Sequence, residues 1–320
     1  MNIWGFARAG ALVAVVAAVP AFDIAPAFAA EPVYDPPVGS RWMVETESRS
    51  EEVRPDGTAT SMIKTRGELT IEHKGADGFR ISYVQRDANV EGNARSVPLS
   101  RAYMKVLENV VIRASTDRSG KPWRIDNLDE AKAAMRAAAS GLVEQFDRRP
   151  ASRALFDQLM SELVEVDAGS AASVYIDALA VLAVAQNTGM KPGEFRQVTK
   201  PAENPLGGDA LKSTERFELV AADAARLKFV NVTSVDTASM DEFMQSFARS
   251  LLAASGDSVT PDRVRQLVSS MLFSFDKRAE FEVEGGMTRK VAESSKTVFR
   301  GMEQNLIQTE MRTITVAPAP

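Results

Sequence analysis

From residue 40 onward the chain alternates apolar and polar residues in short runs joined by tight turns, a pattern that makes an antiparallel meander its natural fold. Ser40 to Glu52 carries Trp42, Val44 and Thr46 on one face. Arg54-Pro55-Asp56-Gly57 then reverses the chain, since Pro fixes φ and Gly accepts a positive φ. Thr60 to His73 follows, with Ile63, Leu69 and Ile71 on one parity, and Gly67 inside it marks a bulge or bend. Phe79 to Tyr83, Asn109 to Thr116 and Lys121 to Ile125 are further strands, the last two joined by Asp117-Arg118-Ser119-Gly120. Phe273 to Glu284, Thr288 to Phe299 and Asn305 to Val316 close the chain, with Gly285-Gly286 as a hairpin turn. Thr288 to Lys296 and Gln304 to Thr315 carry Ser, Thr and charge on both parities, as expected of edge strands or of strands wet on one face.

Between these blocks the period changes. Asn127 with Glu130 forms a capping box before Leu128, Ala131, Met135, Ala138, Leu142 and Phe146, one face of an amphipathic helix. Pro150 restarts the chain, and Leu155, Leu159 and Leu163 mark a second helix. Ser170 to Gln186 is apolar nearly all round and is expected as one buried helix. Ser239 with Glu242 caps a fourth, striped by Met240, Phe243, Phe247 and Leu251. Thr260 caps a fifth, with Pro261 at its first position. Lys200 to Leu211 is read as an irregular surface loop, with a lid as the other reading.

Two blocks look alike. Lys191-Pro192-Gly193-Glu194-Phe195 matches Pro37 to Trp42 as a Pro/Gly turn feeding an aromatic strand start. Glu218 to Asp236 matches Glu68 to Asp87. A duplication and the generic likeness of any two hairpins both account for this.

Met1 to Gly10 carries one cation, Arg8. Ala11 to Val19 is apolar, and Ala27-Phe28-Ala29 is a signal-peptidase site. Residues 1–29 are therefore expected to be a secretory signal peptide cleaved near Ala29, since the apolar run is about half of the roughly 20 residues that span a bilayer. The expected destination is the periplasm or the exterior of a bacterial cell, with no transmembrane anchor after processing. Residues 30–38 are an extended leader. Residues 39–190 hold the first meander and three helices. Residues 191–316, in the same compact domain, hold the second hairpin, two helices and the last strands. Residues 317–320 are expected to be disordered.

The chain has no cysteine, so disulfides, thiolate metal sites, thiol catalysis and a lipid-bearing cysteine are all removed. Its single histidine, His73, excludes multi-histidine metal sites and reads as a partly covered strand-end residue. No metal and no cofactor is expected. The net charge of −5 is interspersed, with no basic stripe for nucleic acid. Asp126 to Glu130 is acidic because a helix start favours acids.

Trp42, Phe79, Tyr83, Trp123, Phe229 and Phe281 lie on strands and are candidates to line a cavity between sheet and helices; the other reading is core. Asp177 stands in an apolar helical stripe beside Val174, Ala180 and Val181. It is a carboxylate of raised pKa at a site, the partner of an Arg or Lys, or a residue on a line of the helix that faces solvent.

The order of features, with the Asp117 to Glu130 junction reading D-x-x-G-K-x-x-x-I-x-N-x-D-E, resembles exported bacterial β-rich families of unknown function that often occur as lipoproteins. The resemblance implies a layout and an envelope location and carries no catalytic residue. This chain departs from the lipoprotein form in lacking cysteine.

The expected fold is α+β: a large curved antiparallel sheet with about five helices on one face. The leading function is non-catalytic binding of a hydrophobic small molecule, a lipid or an envelope protein. The alternatives are a structural role with the last strands as a pairing edge, and a carboxylate-dependent hydrolase.

Overall fold

The computed structural model describes residues 33–143, 150–202, 211–223, 226–301 and 304–320. The signal-peptide reading, and residues 203–210 of the expected loop, lie outside them; the described ends of that loop, Lys200 to Ala202 and Leu211, are paired strand and not loop. The strands are β1 (Arg41–Arg54), β2 (Gly57–Lys74), β3 (Phe79–Gly92), β4 (Val111–Thr116), β5 (Pro122–Ile125), β6 (Phe195–Ala202), β7 (Leu211–Ala222), β8 (Arg226–Val235), β9 (Leu272–Glu284), β10 (Met287–Gly301) and β11 (Gln304–Pro318). They form one antiparallel sheet in the order β5-β4-β3-β2-β1-β11-β10-β9-β8-β7-β6. The meander leaves the centre along β1 to β5, crosses to the far edge, and returns along β6 to β11. The first and last strands therefore meet in the middle, from Trp42↔Pro318 to Val53↔Ile307.

Helix α1 (Val97–Leu107) joins β3 to β4. Helices α2 (Leu128–Ser140), α3 (Pro150–Val164), α4 (Ala171–Tyr175) and α5 (Asp177–Ala183) make the crossing. Helices α6 (Thr237–Ser255) and α7 (Pro261–Ser269) join β8 to β9. The expected α+β class and curved sheet are observed. The helices number seven among the described residues.

Alternation decides which face is covered. Val44, Leu69, Ile71, Ile81, Phe229, Phe281, Val283, Val291, Ile314 and Val316 point to the helices and are buried. The outer face is laced with ion pairs such as Glu45–Arg66, Glu47–Lys64 and Lys228–Glu280. The two largest of four apolar clusters among the described residues lie under the helices. The larger lies beneath α1 to α5. The smaller gathers Met244, Phe273 and Phe299, with Phe243 and Phe247, beneath α6 and α7.

The likeness of the two blocks is a repeated unit, three strands, a helical connection and two strands. In the first copy Ser40 N donates to Pro37 O, Gly39 N to Ile71 O, and Ile71 N to Ser40 O. In the second Glu194 N donates to Lys191 O, Gly193 N to Leu219 O, and Leu219 N to Glu194 O. The glycines have φ of +83° and +84°, a left-handed conformation that favours glycine. The register then slips just past Ile71↔Ile81 and just past Leu219↔Phe229. It slips again between the fourth and fifth strands of each copy. In sheet order, β1 to β5 and β6 to β10 are related by a shift of six strands.

Several local expectations are corrected. β10 and β11 are central, paired on both sides, and not edges. Their inward polar residues face a wet part of the helical layer. The expected helix over Ser170 to Gln186 breaks at Ile176 (φ −138°, ψ 38°) into α4 and α5. Asp236, not Ser239, caps α6 by accepting from Ser239 N at 2.9 Å. Ser239 Oγ instead accepts from Lys212 N. Asn127 precedes α2 but spends its side chain on β4, accepting from Arg113 N and donating to Val111 O. Ala317 and Pro318 continue β11, and Ala319 N donates to Arg41 O.

Candidate functional site on the concave face

The six strand aromatics do not share one cavity. Phe229 stacks on Phe217 at 5.1 Å between centroids, and Phe281 meets Phe217 edge-on at 5.8 Å. Phe79 is buried edge-on against Tyr34 of the leader at 5.3 Å. Trp42 is half-buried, with the Arg289 guanidinium 4.5 Å above its ring. Tyr83 is buried across Gly67, where any Cβ would fall inside the phenol ring. That close approach is what the glycine and its bulge are for. Trp123 is corrected as a lining residue: it is 56% exposed. Ser115 pairs with Arg124 and Thr116 with Pro122, so Trp123 is the extra residue of a bulge and turns outward.

A cavity of about 20 Å³, bounded by Tyr34, Leu69, Ile81, Leu179, Leu182 and Met287, is room for about one water. A wider cleft of about 440 Å³ opens on the outside near β5, between Glu72, Arg80, Arg113, Arg124 and Asp126.

What the sequence did not single out is a band of charge on the inward face, between the two largest apolar clusters. Lys200 pairs with Glu215, whose Oε1 accepts from Asn231 Nδ2 at 2.5 Å. Asn231 Oδ1 is buried without a hydrogen bond. Farther along, Lys277 lies 3.9 Å from Glu293, and Glu293 lies 3.8 Å from Arg312. Arg312 Nη1 stands 2.7 Å from Asp177 Oδ2. That oxygen makes no aligned hydrogen bond, so the contact is an ion pair with poor hydrogen-bond direction. Asp177, read from the sequence as a site carboxylate, a paired one or a solvent-facing one, lies beside Arg312 and is partly exposed.

These side chains are neither sealed nor free. Asp177 and Arg312 are 21% and 20% exposed, and Glu215 and Glu293 are 19% and 17% exposed. Burial works against the Arg312 charge, but Asp177 and Glu293 outweigh it and hold its pKa above the ordinary value. Burial, reinforced by the Asp177 charge, raises the phenols of Tyr83 and Tyr103 above theirs.

The repeat provides an internal comparison. By register, Lys200, Glu215 and Asn231 occupy the places of Thr46, Gly67 and Tyr83, and Lys277 that of Val110. The first copy builds the same sheet without these charges, so the fold does not require them. Arg312 and Asp177 lie on β11 and α5, outside the repeat. The signal available in the sequence was charge at inward positions of β9, β10 and β11, visible only once their partners are known.

Asp177 and Glu293 each lie beside Arg312, and Glu215 lies beside Lys200. No helix among the described residues is long and apolar enough to cross a membrane.

No protein-family model and no curated protein sequence matches the chain. Among solved structures, one reporting lipid–protein interactions in lipovitellin aligns over 88% of this chain and 25% of that one, with TM-score 0.40 and 7% identity. This chain thus spans a quarter of lipovitellin's length. The transport unit of the autotransporter AIDA-I from Escherichia coli aligns over 87% and 90%, with TM-score 0.25 and 9% identity. An outer membrane channel from Pseudomonas putida F1 aligns over 88% and 97%, with TM-score 0.19 and 7% identity. Likeness at this level carries no conclusion about activity or ligand.

Proposed function

We propose that the protein is a non-catalytic binder of a hydrophobic ligand in the bacterial envelope, and that the ligand enters by displacing α4 and α5 from the concave face. The observation that carries this reading is the nature of the filling. α4 has five residues and α5 seven, with a break between them. Isolated helices shorter than about 12 residues are marginal in water, so these two depend on their packing. They are also fastened by polar bonds. Asp177 meets Arg312 at one end. At the other, Gln186 Nε2 donates to Ser119 O, and Thr288 Oγ1 donates to Leu182 O. Their displacement would uncover the apolar surface now covered by Tyr175, Ile176, Leu179 and Leu182, all buried, and a hydrophobic ligand would take over that surface.

The test is native mass spectrometry of the full-length chain isolated from bacterial envelope, followed by extraction and uptake of an alkyl-chain fluorophore. Co-purifying lipid, or saturable uptake after extraction, is the expected result. A chain that carries no lipid and takes up no probe overturns the reading.

A structural role with the last strands as a pairing edge has no support, because β11 is paired on both sides.

A further inference from the structure

We propose that Arg312 is the head-group site of an anionic single-chain amphiphile, whose carboxylate or phosphate replaces Asp177 while its chain replaces α5. The proposal rests on the hydrophobic-ligand reading above and names the class of ligand.

Charge is the first support. Arg312 is flanked by Asp177 and Glu293, with Lys277 beyond Glu293 and the exposed Glu310 two residues away on the same face, so Asp177 is the carboxylate nearest to the Arg312 cation. It meets that cation without an aligned hydrogen bond. A free carboxylate or phosphate can meet the guanidinium fork in a bidentate geometry that a side chain fixed at a helix start does not reach.

Geometry is the second. The next inward residues of β11 after Arg312 are Ile314 and Val316, both buried, and the next on β10 after Glu293 is Val291. At roughly 3.3 Å per residue, the lane from Arg312 to Val316 is about 13 Å long. α5 has the same order of chemistry, a carboxylate head at Asp177 followed by Ala178, Leu179 and Leu182, all three buried. α5 itself packs on β10, beside that lane, so its displacement frees the Arg312 cation together with the inward face of β10.

The third is that the sheet does not ask for the Lys277 charge. Lys277 occupies the place of Val110 in the other copy of the repeat, so the comparison covers the cation beside Glu293, while Arg312 on β11 lies outside it.

The test is calorimetric titration of the full-length protein with laurate, dodecyl phosphate, dodecanol and dodecyltrimethylammonium. The two anions are expected to bind at least tenfold more tightly than dodecanol, and the cation least. The tighter of the two identifies the head as carboxylate or phosphate. D177N, which removes the competing carboxylate, is expected to tighten laurate severalfold. D177N/R312Q, which leaves no unpaired carboxylate behind, is expected to bring laurate to the dodecanol level with dodecanol unchanged. Equal laurate and dodecanol affinities in the unaltered protein overturn the head-group site while leaving the hydrophobic-ligand reading standing, as does laurate binding indifferent to Arg312. Failure of all four ligands with both the unaltered protein and D177N overturns both.

Discussion

All four tyrosines, Tyr34, Tyr83, Tyr103 and Tyr175, have phenols raised above the ordinary value of 10.0, chiefly by burial. Tyr175 rises to about 12, and its hydroxyl donates to Leu163 O at 2.8 Å. The sign follows from linkage: the unfolded chain loses these protons near pH 10 and the folded protein later, so stability present below pH 10 is lost as pH climbs through the folded values. An alkaline titration followed by ultraviolet absorbance and circular dichroism should show phenolate appearing together with loss of ellipticity. Phenolate formed near pH 10 with the fold intact would contradict it. Residue by residue, the sequence was legible where geometry is local. Gly67 read as a bulge because a strand glycine has few other uses. Trp123 misread because strand parity assumes no extra residue, and a bulge reverses it.

The elements show a similar division. Turns with their own chemistry, Arg54 to Gly57, Asp117 to Gly120 and Gly285-Gly286, lie between strands as expected. Helix α1 was not read at all. Its segment follows the polar stretch Arg86 to Glu91 that ends β3, and its buried residues, Val97, Leu99, Ala102 and Val106, mix spacings of two, three and four. Capping was read one turn late at α6, because Ser239 and Glu242 fit the capping-box spacing while Asp236 has the extended backbone that a cap needs (φ −64°, ψ 129°). D236A should cost about 1 kcal/mol of stability, measured by chemical denaturation, and S239A should cost less through that helix end. The break at Ile176 was illegible for a different reason. Hydrophobicity all round says that a helix is buried, not whether it has room to run straight across a curved sheet and still set Asp177 against Arg312.

For the whole molecule, the decisive fact is that the chain begins and ends its sheet in the same place. β1 pairs with β11 across nearly the whole length of the sheet-forming chain, a non-local pairing expected to make folding slow. A chain ending at Gly301 would expose inner edges on β1 and β10 and should fail to form a cooperative core, read as loss of the thermal transition and gain of aggregation. A stable, monomeric truncated sheet would refute this. The sequence by itself determined the class of fold, the strands and most turns, the likeness of the two blocks and the absence of thiol chemistry, because period, turn residues and composition act within a few residues of each other. Only the tertiary structure decided that the polar last strands are central, that the helical crossing fills the concave face, and that Asp177, Glu293 and Arg312 meet on it. Those facts depend on partners more than a hundred residues apart, whose pairing is set by sheet order and curvature and leaves no local signature.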